Sequence, residues 1–235
     1  MKPSVTCRHA LSPGDVEFIL STLDPGGDQK ENLAALLADE GSCNAVLDHP
    51  DLLKNLLEHT GCLSVSPGFY FYVVTRHSLL RKGIQDPALS DYLGRVLCHF
   101  SSTRMLSEKS AEESSRHLFP YVSDLLAEIG EGSSNVSVRK RIELGDIMLF
   151  VSGIFSDVIE RRRSQRAAPP VDFYESVGAA QYRLVAEDRL MRDCSEAQVF
   201  RELAEIFHEL RLALNDLSQR LLHMDSNTRL ITLQA

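Results

Sequence analysis

The chain has 235 residues, of which 43% are hydrophobic and 25% charged, and this ordinary globular composition excludes disorder for most of its length. Its formal net charge of −8 argues against general binding to nucleic acids or anionic membranes, because both bind preferentially to clustered positive charge.

The first third of the chain predicts three helices separated by proline and glycine signals. Ser12 is suited to cap the first helix, and residues 25–27 (Pro-Gly-Gly) end it. The second helix ends at Gly41. The third runs over residues 45–59 and is kinked or split at Pro50, because proline cannot continue the hydrogen-bond pattern of a helix.

Residues 69–74 are the most ambiguous segment, since their aromatic and β-branched side chains favour a strand. However, Ser66 and Pro67 form a helix-start signal, and no partner strand is evident. We therefore predict a helix that ends near Gly83. An amphipathic helix with a clean apolar stripe follows from Pro87 onwards.

Another helix precedes a flexible linker at residues 130–134 (Gly-Glu-Gly-Ser-Ser). A long helix is predicted over residues 136–163. Its apolar stretch, residues 147–159, is too short to span a bilayer and indicates burial on most sides. The next helix, residues 173–190, carries three small residues at 178–180, which would let a neighbouring helix approach closely.

A last long helix, residues 196–224, carries an apolar seam with alternating spacings of three and four, typical of heptad positions a and d. The seam residues are Phe200, Leu203, Phe207, Leu210, Leu214, Leu217 and Leu221. Val199, Ile206 and Ala213 widen this stripe, which favours a bundle within one chain. The alternative is a homodimer seam.

These patterns predict an all-α fold, an irregular multi-helix bundle of about eight or nine helices with a long C-terminal amphipathic helix. We expect a single domain over residues 1–235, with a possible internal division at the linker 130–134. The five cysteines are odd in number and form no Cys-x-x-Cys pair, which indicates reduced thiols. We therefore expect a cytoplasmic protein without a membrane span.

Two groups of residues have types and spacings that could bind a metal. The first contains Cys43, His49, His59 and Cys62, a soft-ligand set of the kind that zinc uses. The second is the Glu-x-x-His step formed by Glu205 and His208, which di-iron proteins use in pairs. The sequence contains no second Glu-x-x-His step, and the spacing from Cys43 to His49 is not that of a common zinc finger. We therefore predict no metal and no cofactor.

The densest positive cluster comprises Arg161, Arg162, Arg163 and Arg166, at a predicted helix end where cations are favoured. A phosphate or an acidic partner would dock there. The polar groups that would surround a pocket between helices are histidines and tyrosines. They are His59, His77, His99, His208, Tyr70, Tyr72 and Tyr182.

The sequence contains none of the common phosphate-binding, dinucleotide-binding or hydrolase motifs. Our leading hypothesis is a non-catalytic interaction or scaffold protein whose partner is itself, through the C-terminal seam. The alternative is a helical protein that binds a small molecule or metal, including an enzyme. A third hypothesis is a regulator that contacts nucleic acid through residues 161–166, which the acidic charge disfavours.

Overall fold

The computed structural model describes residues 11–24, 26, 29–58, 65–102, 122, 124–125, 127–129, 134–166 and 169–220. Every regular element in these ranges is a helix, which confirms the predicted all-α class. Eleven helices have both ends within them. They are α1 (Pro13–Leu23), α2 (Lys30–Ala38), α3 (Glu40–Leu47), α4 (Pro50–Glu58), α5 (Pro67–Arg81), α6 (Pro87–Ser102), α7 (Ser134–Ile154), α8 (Ser156–Arg166), α9 (Val171–Glu187), α10 (Glu196–Glu205) and α11 (Phe207–Arg220).

The helices are more numerous than the predicted eight or nine because three predicted helices are divided. The first division, at Pro50, agrees with the predicted split. The preceding boundary differs from the prediction, since Gly41 lies inside α3 rather than ending α2. The reason is Asp39, whose carboxylate accepts the Ser42 backbone N–H at 2.8 Å and so caps a new helix.

The second division separates α7 from α8 at Phe155, in the middle of the predicted helix 136–163. Side chains of α11 hydrogen-bond to carbonyl groups at this break. Asn215 Nδ2 donates to the Gly153 carbonyl at 3.4 Å, and Ser218 Oγ donates to the Ile154 carbonyl at 3.2 Å. Polar side chains inserted beside a helix backbone are a known cause of helix breaks. The break therefore depends on residues about 60 positions away.

The third division falls at Ile206, so the predicted helix 196–224 is not one continuous element. Ile206 has φ −110° and ψ 28°, although its N–H still bonds to the Glu202 carbonyl at 3.0 Å. The two halves have different main neighbours, because α10 packs chiefly on α9 and α11 chiefly on α7. We attribute the distortion to this change of partner.

The chain divides into two compact units, Met1–His99 and Phe100–Ala235. The predicted single domain with a division at 130–134 stays a prediction, and residues 130–133 lie outside the described ranges. The first unit has α5 at its centre, where all residues from Phe69 to Leu79 are buried. The ambiguous segment 69–74 is thus helical, as predicted, and all six of its side chains are buried.

The second unit is built on α7, α9, α10 and α11. The apolar stretch of the predicted long helix is buried here, which confirms the interpretation of residues 147–159. Glycines let these helices approach closely. A Cβ on Gly178 would lie 2.4 Å from Phe207 Cζ, and one on Gly153 would lie 2.6 Å from Leu214 Cβ. The small residues at 178–180 therefore include one that contacts a neighbouring helix, as predicted.

Candidate functional site

The predicted C-terminal seam lies inside the second unit. Six of its side chains are between 0 and 5% exposed, and Leu221 lies outside the described residues. The six are Phe200, Leu203, Phe207, Leu210, Leu214 and Leu217. This packing corresponds to the alternative in which the seam serves a bundle within one chain. Use of the seam between two copies stays a prediction, and it would require α7 and α9 to release it.

A different apolar stripe of the second unit faces outwards. It runs along α9 and consists of Phe173, Val177, Ala180 and Leu184, which we call the α9 outer face. Phe173 and Leu184 are 44% and 43% exposed, and the two residues between them are half-buried. The opposite side of α9 carries its buried residues, including Gly178, and packs on α7 and α10. One helix therefore presents apolar side chains on two sides.

Charged side chains flank the α9 outer face along one edge. Asp172 and Arg183 are both exposed, and helical geometry places them on the same side of the stripe, near opposite ends. Neither forms an ion pair with another residue in the described ranges. Glu187, which is also exposed, lies at the same end as Arg183, so that end carries both signs of charge.

The α9 outer face was missed by reasoning from the sequence, although its signal is present as spacings of four, three and four. The same 17 residues contain a second apolar set, Tyr174, Tyr182 and Val185 among them, and that set is buried. The spacing of the apolar residues is compatible with an apolar face on both sides of α9. It does not report which of them a neighbouring helix covers, since that depends on tertiary packing.

A second exposed apolar surface lies on α2 in the first unit. None of its nine residues is buried, although six of the nine are alanine or leucine. Leu36 is 44% exposed. Most short amphipathic helices bury one face, so α2 is unusual among the described helices.

The predicted arginine patch lies on α8, where Arg161 and Arg163 are exposed. Local contacts partly occupy it, since Arg163 is 3.7 Å from Glu160 and Arg161 Nε donates to the Asp157 carbonyl at 3.4 Å. Arg162 is half-buried near Tyr174. Burial raises the pKa of Tyr174 to about 12, although Arg162 acts in the opposite direction. The side chain of Arg166 lies outside what the structure describes.

The candidate metal ligands of the sequence analysis do not converge where the structure describes them. Cys43 is buried in α3, whereas His49 is exposed and lies 3.7 Å from Asp51. His59 and Cys62 fall outside the described ranges. Within those ranges, no group of three or more histidine, cysteine, aspartate or glutamate side chains could hold a metal ion.

The Glu-x-x-His step is divided by the distortion at Ile206, so Glu205 ends α10 and His208 lies in α11. His208 instead pairs with Glu175 of α9, at 3.0 Å from Nδ1 to Oε1. Arg211 Nε donates to the same carboxylate oxygen. Glu175 therefore ties α9 to α11 as the centre of a small ion-pair cluster. No local pattern signals this cluster, because Glu175 lies more than 30 residues from both of its partners.

The first unit contains a buried charged cluster on α5. The Arg76 side chain is 4% exposed and binds Asp48 through two parallel hydrogen bonds, Nε–Oδ1 at 2.6 Å and Nη2–Oδ2 at 2.7 Å. Its Nη1 donates to the Gln85 carbonyl at 2.7 Å. Hydrogen bonding to Asp48 raises the pKa of Arg76. The cluster joins the end of α3, the centre of α5 and the α5–α6 connection.

The neighbouring His77 is 8% exposed, and burial lowers its pKa below 6.5 despite the nearby Asp48. Its Nε2 atom is buried and makes no hydrogen bond with any described residue. The Oγ atom of Ser90 and the Nε atom of Arg95 are also buried and without a hydrogen-bond partner among the described residues. Buried polar atoms of this kind are ones that a bound molecule would satisfy.

The histidines and tyrosines predicted to surround one pocket are not brought together. Tyr70, Tyr72 and His77 lie in α5 of the first unit, and His99 is exposed in α6. Tyr182 lies in the second unit, where its hydroxyl donates to Asp146 Oδ1 at 2.7 Å. His208 pairs with Glu175 as described, and His59 lies outside the described residues.

No family model, curated protein or solved structure matches this chain. None of the helices in the described ranges is both long and apolar enough to cross a membrane.

Proposed function

We propose that this chain is a non-catalytic interaction or scaffold module that self-associates. The observation that carries the proposal is the α9 outer face. Contiguous exposed apolar side chains on a protein surface mark interaction sites more often than isolated ones do. Because α9 packs on α7 and α10 through its other side, this face is presented by a helix held in place. Interfaces built on fixed helices lose little conformational entropy on binding.

The exposed leucine and alanine residues of α2 support the scaffold part of the proposal. Each of the two units then carries one exposed apolar helix face, α9 in one and α2 in the other. Two separate faces would allow one chain to bind two partners, or one copy of itself and one other protein. A scaffold protein acts in this way, by holding two partners on one chain.

Native mass spectrometry, compared with the mass of the denatured chain, tests the proposal. One chain has a mass of 26.3 kDa, so we expect a species of twice that mass whose fraction rises with protein concentration. A single 26.3 kDa species at every concentration would contradict self-association.

A second candidate function is the binding of a small molecule in the first unit. The buried, unpartnered Nε2 atom of His77 and Oγ atom of Ser90 favour it, because buried polar atoms without partners are uncommon. The same mass measurement separates the two candidates. A mass excess that disappears on denaturation, and is lost in His77→Phe, would favour ligand binding.

A further inference from the structure

We propose that Ser164, in the last turn of α8, is a phosphorylation site for a serine kinase that recognises arginine-rich sequences. Such a site lies outside the function proposed above and does not require self-association. Three features support it, which are the residues that precede Ser164, the exposure of its side chain and the light packing of this end of α8.

Three consecutive arginines, Arg161 to Arg163, come directly before Ser164. Among all serine and threonine residues of the sequence, Ser164 is the one with more than one arginine in the three positions before it. Kinases select their substrates partly by the charge pattern beside the modified residue. A guanidinium group suits such selection because it binds a carboxylate through two parallel hydrogen bonds. The segment therefore fits a kinase whose substrate groove carries carboxylates.

The Ser164 side chain is exposed, and the contacts beside it are local ones at the protein surface. Ser164 Oγ donates to the Arg161 carbonyl at 2.8 Å, within one turn of the helix. Arg163 lies 3.7 Å from Glu160, and these two side chains are 58% and 54% exposed. An ion pair this exposed contributes little free energy, so a partner with carboxylates can displace it.

The end of α8 has no buried side chain over residues 160–164. The buried residues that precede this segment are Val158 and Ile159, and the segment itself is exposed except for the half-buried Arg162. A helix end without buried side chains unwinds at little cost in free energy. Unwinding is needed because a kinase places the substrate hydroxyl in line with the γ-phosphate of its nucleotide. Ser164 therefore reaches that position without opening the core of the second unit.

The reaction changes the charge of the arginine patch. Ser164 Oγ forms a bond to the γ-phosphorus of ATP, the bond from that phosphorus to the bridging oxygen breaks, and ADP leaves. A carboxylate of the kinase takes the hydroxyl proton. One glutamate and three arginines give residues 160–164 a net charge of +2, and a phosphoserine carries about −1.5 to −2 at pH 7. Phosphorylation therefore removes most of the local positive charge that an acidic partner would bind.

Treatment of the purified full chain with an arginine-directed serine kinase and ATP tests the site. Intact mass and peptide fragmentation give the number and position of the phosphoryl groups. We expect one group at Ser164 in the wild-type chain and its loss in Ser164→Ala. The matched control is Ser176→Ala, because Ser176 is also exposed in a helix and its Oγ also donates to a backbone carbonyl at 2.8 Å. No arginine lies within three residues before Ser176, so we expect this variant to be phosphorylated like the wild-type chain.

Removal of exposed arginines tests the recognition. In the double variant Arg161→Gln and Arg163→Gln we expect kcat/KM of the kinase to fall about ten-fold or more, because two charge-assisted contacts are lost. The control is Arg183→Gln, which removes an exposed arginine of α9 and should leave kcat/KM unchanged. Since these side chains are exposed, the helical circular dichroism signal should be the same in all variants.

Three outcomes would overturn the proposal. The first is a phosphoryl group placed chiefly on the exposed Ser195, which has a single arginine, Arg192, three residues before it. The second is phosphorylation of Ser164 at the same rate with and without the two arginines. The third is an unmodified full chain under conditions in which the kinase modifies a peptide of residues 158–168, since the folded chain would then protect the serine.

Discussion

Asp15 and Ser66, 51 residues apart, hold the starts of α1 and α5 together. Asp15 Oδ1 accepts the backbone N–H of Ser66 at 2.7 Å, and Oδ2 accepts its hydroxyl at 2.8 Å. Oδ2 also accepts the backbone N–H of Ser12 at 2.7 Å, which completes the capping box of α1. Ser66 Oγ in turn accepts the Phe69 N–H at 3.1 Å. One fully buried carboxylate therefore serves the caps of two helices.

Replacing this carboxylate with an amide of the same size should destabilise the first unit. Asp15→Asn keeps one acceptor oxygen and adds donor hydrogens that point at other donors. We expect a loss of about 2–3 kcal/mol in the free energy of unfolding, measured by urea denaturation. The control is Asp193→Asn at an exposed turn position, for which we expect less than about 0.5 kcal/mol. Equal losses in the two variants would show that the shared cap contributes little.

The Arg76–Asp48 pair should respond unequally to removal of either partner. Asp48→Ala leaves a guanidinium that is 4% exposed without its charge partner, and we expect a loss of about 3 kcal/mol or more. Arg76→Met keeps the apolar volume and leaves Asp48, which is 29% exposed, free to be hydrated. We therefore expect a smaller loss for Arg76→Met in the same urea titration. The reverse order would mean that packing of the arginine stem outweighs its charge.

Two glycine-to-alanine substitutions within helices should have opposite effects. In Gly178→Ala the new Cβ would lie 2.4 Å from Phe207 Cζ and 2.9 Å from Met148 Cβ, so we expect a loss of about 1–3 kcal/mol. In Gly41→Ala the nearest atom is 3.6 Å away, so the ordinary helix preference for alanine should stabilise α3 by about 0.5–1 kcal/mol. Thermal denaturation followed by circular dichroism measures both changes. A neutral Gly178→Ala would mean that α9 and α11 can separate at little cost.

His77 should make the stability depend on pH below about 6.5. Burial lowers its pKa in the folded state, so below the ordinary value of 6.5 the unfolded chain binds the proton more readily. The stability that neutral His77 contributes is present above pH 6.5 and is lost as the pH falls towards the folded-state pKa. We expect urea midpoints between pH 7.5 and about 5 to fall more steeply in the wild-type chain than in His77→Gln. An equal fall in the urea midpoint of both chains would mean that groups other than His77 cause the pH dependence.

Several features of this protein follow from the sequence alone because they depend on neighbouring residues. The start of α5 is signalled by Ser66 and Pro67, and the structure has both the cap and the helix there. The division at Pro50 follows from the missing N–H of proline. Burial of residues 147–159 follows from their apolar character. Caps, prolines and apolar period act within one or two turns, so the order of residues is sufficient to predict them.

Other features were decided only by tertiary structure, because they join residues that are far apart in the chain. The helix break at Phe155 lies where side chains of α11 hydrogen-bond to backbone carbonyl groups. The break at Ile206 lies where the main neighbour changes from α9 to α7. The partners of Asp15 and Arg76 lie 51 and 28 positions away. Above all, periodicity identified the long C-terminal seam but missed the α9 outer face, because spacing does not indicate which apolar side chains a neighbouring helix covers. The fold buries the seam and leaves Phe173 and Leu184 exposed, since a side chain is buried only when another element packs against it.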